Sequence, residues 1–176
     1  MFKVALASMG DGGIIAEKDL LLKPEFLGLG PSFSGPVTVG YELNHTFGKV
    51  YAKLQASATV HLECSRCLKA FDKELSTDFI VQFEEKPEKA TLTGADPDDP
   101  EPNVAFIVDG QLLLGEELRQ ELELQVPYRP LCKPDCAGLC PRCGADLNNG
   151  PCGCDLTPQN SPFAKLKGLV KMDNED

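Results

Sequence analysis

The chain has 176 residues, 42% hydrophobic and 25% charged, with a formal net charge of −10. That length buries a core without depending on staples and makes one domain, or at most two. Apolar runs such as 107–108 and 112–114 are far too short to span a bilayer, and so large an acid excess opposes a polyanionic partner for the chain as a whole.

In chain order, "MFKVALASMGDGGIIAEKD" lacks the basic start and continuous apolar core of a secretory leader, so the expected address is the cytoplasm. The first 35 residues give no clear element. "GPVTVGYELNHTFGKVYAKLQASATVHLEC" then alternates apolar and polar residues over 37–43 and again over 50–62, the period of half-buried strands. "NHTFGK" supplies the turn between them, with Gly48 able to take a positive φ. "AFDKELSTDFIVQFEE" repeats the alternation through Phe71, Leu75, Phe79, Val81 and Phe83, which predicts an antiparallel meander with "CSRC" at one turn. Residues 86–102 are acidic and rich in proline and read as a solvated loop. "NVAFIVDGQ" is another short strand, and "LGEELRQELELQVP" predicts a helix over about 115–126. Its first turn is acidic, Leu118, Leu122 and Val126 share one face, and Pro127 follows the stop. "SPFAKLKGLV" is a short helix candidate with Ser161 as N-cap and Pro162 in the first turn.

The expected fold class is α+β: a mostly antiparallel β body over 1–127 with one or two packed helices, and a C-terminal cysteine-rich extension over 128–176 that holds zinc. Charge divides the same way. Residues 1–126 carry 11 Lys/Arg against 21 Asp/Glu, whereas 127–171 carry 6 against 3.

The eight cysteines fall into four close pairs: Cys64/Cys67, Cys132/Cys136, Cys140/Cys143 and Cys152/Cys154. Tetrahedral zinc takes four thiolates at about 2.3 Å, and a two-residue spacing lets one tight turn present both sulfurs on one side. In "CPRCG", Pro141 presets the turn and Gly144 lets the backbone fold past a metal. Four pairs allow two four-thiolate sites and three matchings, among which spacing does not choose. We prefer Cys140/Cys143 with Cys152/Cys154, and Cys64/Cys67 with Cys132/Cys136. Disulfides need an oxidising compartment to which nothing in the sequence directs the chain. A thioredoxin-like pair needs a βαβ context that neither C-x2-C has. The run Cys136-x3-Cys140-x2-Cys143 also has the spacing of a radical iron–sulfur enzyme, but those enzymes use a large α/β barrel. One or two zinc sites are therefore expected.

Zinc in such a place acts either as a staple for a loop-rich end or as a frame that displays cations. A zinc bound by four thiolates is net −2, so Arg66, Lys69, Arg129, Lys133 and Arg142 are expected nearby on electrostatic grounds alone. His61, three residues before Cys64, reads as a half-exposed strand residue more than as a ligand. No Ser/His/Asp set or paired catalytic carboxylates can be inferred, so no enzyme is expected.

The order "ECSRCLKAF", strands, an acidic loop, a helix, "RPLCKPDCAGLCPRCGADLN" and "SPFAKLKGL" resembles the YceD family, from about residue 37 to 169. Members are bacterial and plastid proteins linked to accumulation of large-subunit ribosomal RNA. The resemblance implies metal binding, nucleic-acid binding and a cytoplasmic, non-catalytic role in building the large subunit around 23S rRNA or its precursor. It also brings in ribosomal protein L32, whose gene often neighbours the family's. RNA contacts would fall to Arg66, Arg129, Lys133 and Arg142, followed by Lys165 and Lys167. Many relatives have an Asp-Pro-Arg run where this chain has "DLTPQN", which removes one phosphate contact. The rival expectation is an acidic chaperone for a basic ribosomal protein such as L32 without direct RNA contact. A redox or metal-dependent enzyme stands third.

Overall fold

Alternation every second residue produces a ladder of long strands. In the computed structural model, which describes residues 2–10, 12–85 and 103–155, seven strands and two α-helices follow one another among the described residues. They are β1 (Val4–Ala5), β2 (Ile14–Leu22), α1 (Pro24–Leu27), β3 (Phe33–Thr46), β4 (Lys49–Glu63), β5 (Ala70–Glu85), β6 (Asn103–Ile107), β7 (Gln111–Leu112) and α2 (Leu114–Leu124). Five strands form one sheet in the order β2-β3-β4-β5-β6, and β1 pairs with β7 in a small ribbon. The chain divides into two compact units, residues 1–65 with 69–132, and 66–68 with 133–176.

In the first unit the alternation sorts side chains to two faces. Val50, Ala52, Leu54, Ala56, Ala58 and Val60 of β4 are all buried, beside Val37, Val39 and Leu43 of β3 and Val81 and Phe83 of β5. Helix α2 closes this core with Leu114, Leu118 and Leu122, spaced four residues apart on one stripe and each at 0% exposure. Burying a leucine fully stabilises by about 1.5–3 kcal/mol, so this stripe, rather than helix propensity, holds α2 in place. The helix starts one residue before the predicted span and ends at Leu124, short of Val126. The residue before a proline disfavours helical backbone, and Pro127 therefore ends the helix early.

The antiparallel meander is present from β2 to β5. Two features go beyond the expectation. Strand β2 lies in the stretch that gave no element, and β6 pairs with β5 in parallel, from Val81↔Asn103 to Glu85↔Ile107. A parallel return needs a connection of about a dozen residues or more, and the chain between Glu85 and Asn103 is long enough. The predicted acidic loop 86–102 and the predicted C-terminal helix lie outside the described residues.

In the second unit, regular structure among the described residues is limited to a bridge between Leu139 and Asp146 and a 3₁₀ turn over Leu147–Asn149. No helix among the described residues is long and apolar enough to cross a membrane.

Candidate metal centre

Strands β4 and β5 pair without interruption from Val50↔Phe83 to Glu63↔Ala70 and then turn through residues 64–69. The turn is closed by Cys64 N–H donating to Lys69 O at 2.9 Å. Cys64 and Cys67 are 0% and 4% exposed, an unusual depth for a hairpin tip. Ser65 N–H donates to Pro130 O at 2.8 Å, which ties this turn to the chain just ahead of Cys132. The sulfurs of Cys64, Cys67, Cys132 and Cys136 all lie within 4.8 Å of one another.

Cys140, Cys143, Cys152 and Cys154 form a second set under the same limit. Here the backbone does what "CPRCG" calls for. Cys140 N–H donates to Ala145 O at 2.8 Å, and Gly144 N–H donates to Cys140 O at 2.9 Å. Arg142 N–H points at Cys140 Sγ at 3.4 Å. Hydrogen bonds from the Cys143 and Arg142 backbone favour the thiolate and bring the Cys140 thiol down to about 6. Cys154 is pushed up to about 12 by its hydrogen bonds with Cys143 and Cys152.

All eight cysteines are free of disulfides. Tetrahedral coordination at a metal–sulfur distance of about 2.3 Å separates sulfurs by about 3.8 Å, a spacing both sets can adopt within their 4.8 Å limit. The donor sets therefore fit a thiophilic metal ion. They are the same two sets of four preferred among the three possible matchings. The first set is mostly buried, whereas Cys143 of the second is exposed.

Asp146 and Asn148 are two residues that the sequence reading passed over. Asp146 Oδ1 accepts from Asn148 N–H at 2.9 Å and from Asn148 Nδ2 at 2.7 Å. Asn148 Oδ1 in turn accepts from Ala137 N–H at 2.9 Å, while its Nδ2 reaches Cys136 Sγ at 3.5 Å. The legible signal was Asp-Leu-Asn ahead of a glycine, the composition of a side-chain-capped turn. Gly138 is the third. Its φ is +76°, and a Cβ there would lie 3.0 Å from Arg66 O, which already accepts from Leu139 N–H at 3.1 Å.

The proposed RNA contacts are differently placed. Arg66 donates through Nη1 to Cys136 O at 2.8 Å, so its guanidinium holds a loop of the cysteine region. Arg142 is exposed and donates to Asp155 O at 3.2 Å. Arg129 and Lys133 are exposed. Lys165 and Lys167 lie outside the described residues. His61 is exposed and bonded through Nδ1 to Asp72 at 2.8 Å, as suits a strand residue rather than a ligand.

A family model described as large ribosomal RNA subunit accumulation protein YceD matches residues 52–170. The chain is 34% identical over 89 residues to an uncharacterized protein of Mycobacterium tuberculosis, covering 51% of this chain and 41% of that protein. It is 26% identical over 115 residues to an uncharacterized protein of Mycobacterium leprae, covering 65% of this chain and 51% of the other. It is 24% identical over 159 residues to the maize large ribosomal RNA subunit accumulation protein YCED homolog 1, chloroplastic, covering 77% of this chain and 54% of the plant protein. The chain thus spans about half the length of these relatives. No solved structure matches it. With a family model covering well over half of its 176 residues, including every cysteine, the chain belongs to the YceD family of large ribosomal RNA subunit accumulation proteins.

Proposed function

We propose that this chain is a non-catalytic cytoplasmic factor for accumulation of large-subunit ribosomal RNA, that it holds one zinc ion in each cysteine set, and that it binds 23S rRNA or its precursor. The observation that carries the reading is the convergence of eight cysteines, spread from residue 64 to 154, into two four-sulfur sets in a YceD-family chain. Soft thiolates with tetrahedral spacing favour zinc over harder divalent ions. Bound zinc supplies a redox-silent link whose binding free energy doubles as folding free energy.

The chain's own residues do the rest. The amides of the 140–144 turn face sulfur, and Asp146 and Asn148 fix the loop that follows. Cations carried on loops held in this way meet phosphates with little further ordering cost. Arg66 and Arg142 each donate one guanidinium bond to a backbone carbonyl, Cys136 O and Asp155 O, and with the exposed Arg129 and Lys133 they are the cations offered to phosphate.

Charge supports a second reading, in which the acidic body receives a basic ribosomal protein such as L32 and no RNA is touched. Crosslinking in cells, with RNA and protein adducts both sequenced, separates the two. Direct RNA binding gives adducts at large-subunit rRNA and an affinity that falls steeply with salt. Changing Arg142 and Lys133 to alanine then lowers the salt slope by roughly one unit per lost phosphate contact. Protein adducts alone, with RNA affinity indifferent to these substitutions, overturn the first reading and leave the second.

A further inference from the structure

The outward face of the five-stranded sheet carries apolar side chains that stand exposed among the described residues. Cross-strand partners share a face, so Ile14, Asn44, Tyr51, Gln82 and Val104 form one row across all five strands. Their chain neighbours Leu43, Val50 and Phe83 point into the core. Ile14, Tyr51 and Val104 are exposed, and so are Ile80 and Phe106 in the adjoining rows.

Phe47 stands at the end of this face. The β3–β4 hairpin turns through Phe47 and Gly48 between the paired Thr46 and Lys49. Both turn residues have positive φ, +52° and +74°. Such turns ordinarily take Asn, Asp or Gly, and the left-handed region is strained for an aromatic residue. Phe47 accepts that strain while 93% exposed, so it gains no burial in return. Strain of this kind, held where it contributes nothing to the core, points to function.

The same face continues into an open groove of about 510 Å³. Small residues such as Gly40 and Ser57 recess it, and Asp19, Asp78 and Lys18 line it. Asp78 accepts from the neutral amide of Gln55 at 2.6 Å, so its charge is not cancelled there. Of the two lysines nearer the apolar rows, Lys49 bonds Glu84 at 2.6 Å and Lys53 is the cross-strand partner of Glu42. Residues 1–126 as a whole carry 11 basic against 21 acidic side chains. A field of that sign draws in a polycation and repels a polyanion within a Debye length of about 8–10 Å. Exposed aromatics on a sheet also suit stacked RNA bases, but this charge opposes RNA.

We propose that this face docks a lysine- or arginine-rich polypeptide, its apolar side chains on Phe47, Tyr51 and Phe106 and a basic side chain toward Asp19 and Asp78. The proposal names a surface for the second reading above and rests on that reading for the partner's charge.

The test uses the full chain and two synthetic 20-residue peptides, one alternating lysine with leucine and one alternating lysine with serine, followed by fluorescence anisotropy. A uridine 20-mer serves as the RNA arm. The Lys-Leu peptide should bind at least tenfold tighter than Lys-Ser, and the face variants below should leave RNA binding unchanged. Phe47→Asn, which suits the turn, should weaken Lys-Leu binding about tenfold while leaving the melting temperature unchanged or higher. Tyr51→Thr and the pair Asp19→Asn with Asp78→Asn should weaken it too, and asparagine keeps the positive φ of Asp19 accessible. Equal binding of the two peptides, RNA binding that the Phe47, Tyr51 or Asp19/Asp78 variants weaken, or loss of stability in Phe47→Asn overturns the proposal. If Lys-Leu binds and ignores every variant, the surface is wrong and the second reading stands. If neither peptide binds, both fail. Self-association that the same variants abolish, measured by sedimentation, would assign the face to a second copy instead.

Discussion

Replacing Gly138 by alanine separates two costs that the structure puts at one residue. The first is conformational. Gly138 has φ +76°, and an L-residue in the left-handed region loses about 1–2 kcal/mol. The second is steric. The added Cβ would sit 3.0 Å from Arg66 O and 3.3 Å from Arg66 Cβ, and a backbone oxygen has little room to retreat. Overpacking of this sort costs about 1–3 kcal/mol more. Gly144 supplies the control, since its φ is +74° with nothing within 4 Å of a Cβ. Gly144→Ala should therefore show the conformational cost alone, and Gly138→Ala should exceed it by about 1–3 kcal/mol. Chelator competition on the metal-loaded chain and thermal unfolding read the difference, at about 2–4 °C per kcal/mol for a chain of this size. Equal behaviour of the two variants would refute the claim that close approach of Gly138 to Arg66 shapes the cysteine region.

Other expectations follow from single contacts. Leu118→Ala removes a fully buried side chain from the α2 stripe and should cost about 2–5 kcal/mol by urea unfolding, whether or not metal is present. Asn148→Ala removes the acceptor of Ala137 N–H and the side-chain bond to Asp146 Oδ1 while keeping the backbone bond from residue 148, and should speed metal loss to a chelator while changing the unfolding of the β body little. Glu117 is a half-buried carboxyl raised above its usual value by desolvation and by Glu116 and Glu121. Its folded-state value lies above the unfolded one, so its contribution is favourable at low pH and is lost as pH rises through the carboxylate range. Glu117→Gln should thus stabilise at pH 7, by less than about 1 kcal/mol given the exposure, and the gain should vanish below about pH 4 in paired melts.

Much of this fold could be read before it was seen, because β3, β4 and β5 are half-buried and their alternation is a direct imprint of two faces. Strand β2 hid for a physical reason. Its register shifts between Glu17 and Leu20 around Asp19, whose φ is +57°, and a bulge resets the period on which such reading depends. The direction of β6 is set by the return of the chain, which periodicity cannot express. The cysteine pairs were visible as spacings, but their matching depends on where the β4–β5 hairpin carries Cys64 and Cys67. Asp146 and Asn148 were legible only as the composition of a capped turn, and the close approach of Gly138 to Arg66 is not marked by residue type. Phe47 shows the reverse case: a turn was expected at Gly48, yet the residue before it breaks the turn's own preference.

Native mass spectrometry of the full chain, purified without added metal, most directly tests the assignment of two four-thiolate zinc sites. Two zinc ions per chain are expected, falling to one in Cys140→Ser with Cys143→Ser and to one in Cys64→Ser with Cys67→Ser. An iron-containing chain, or two zinc ions retained after either double substitution, would contradict it.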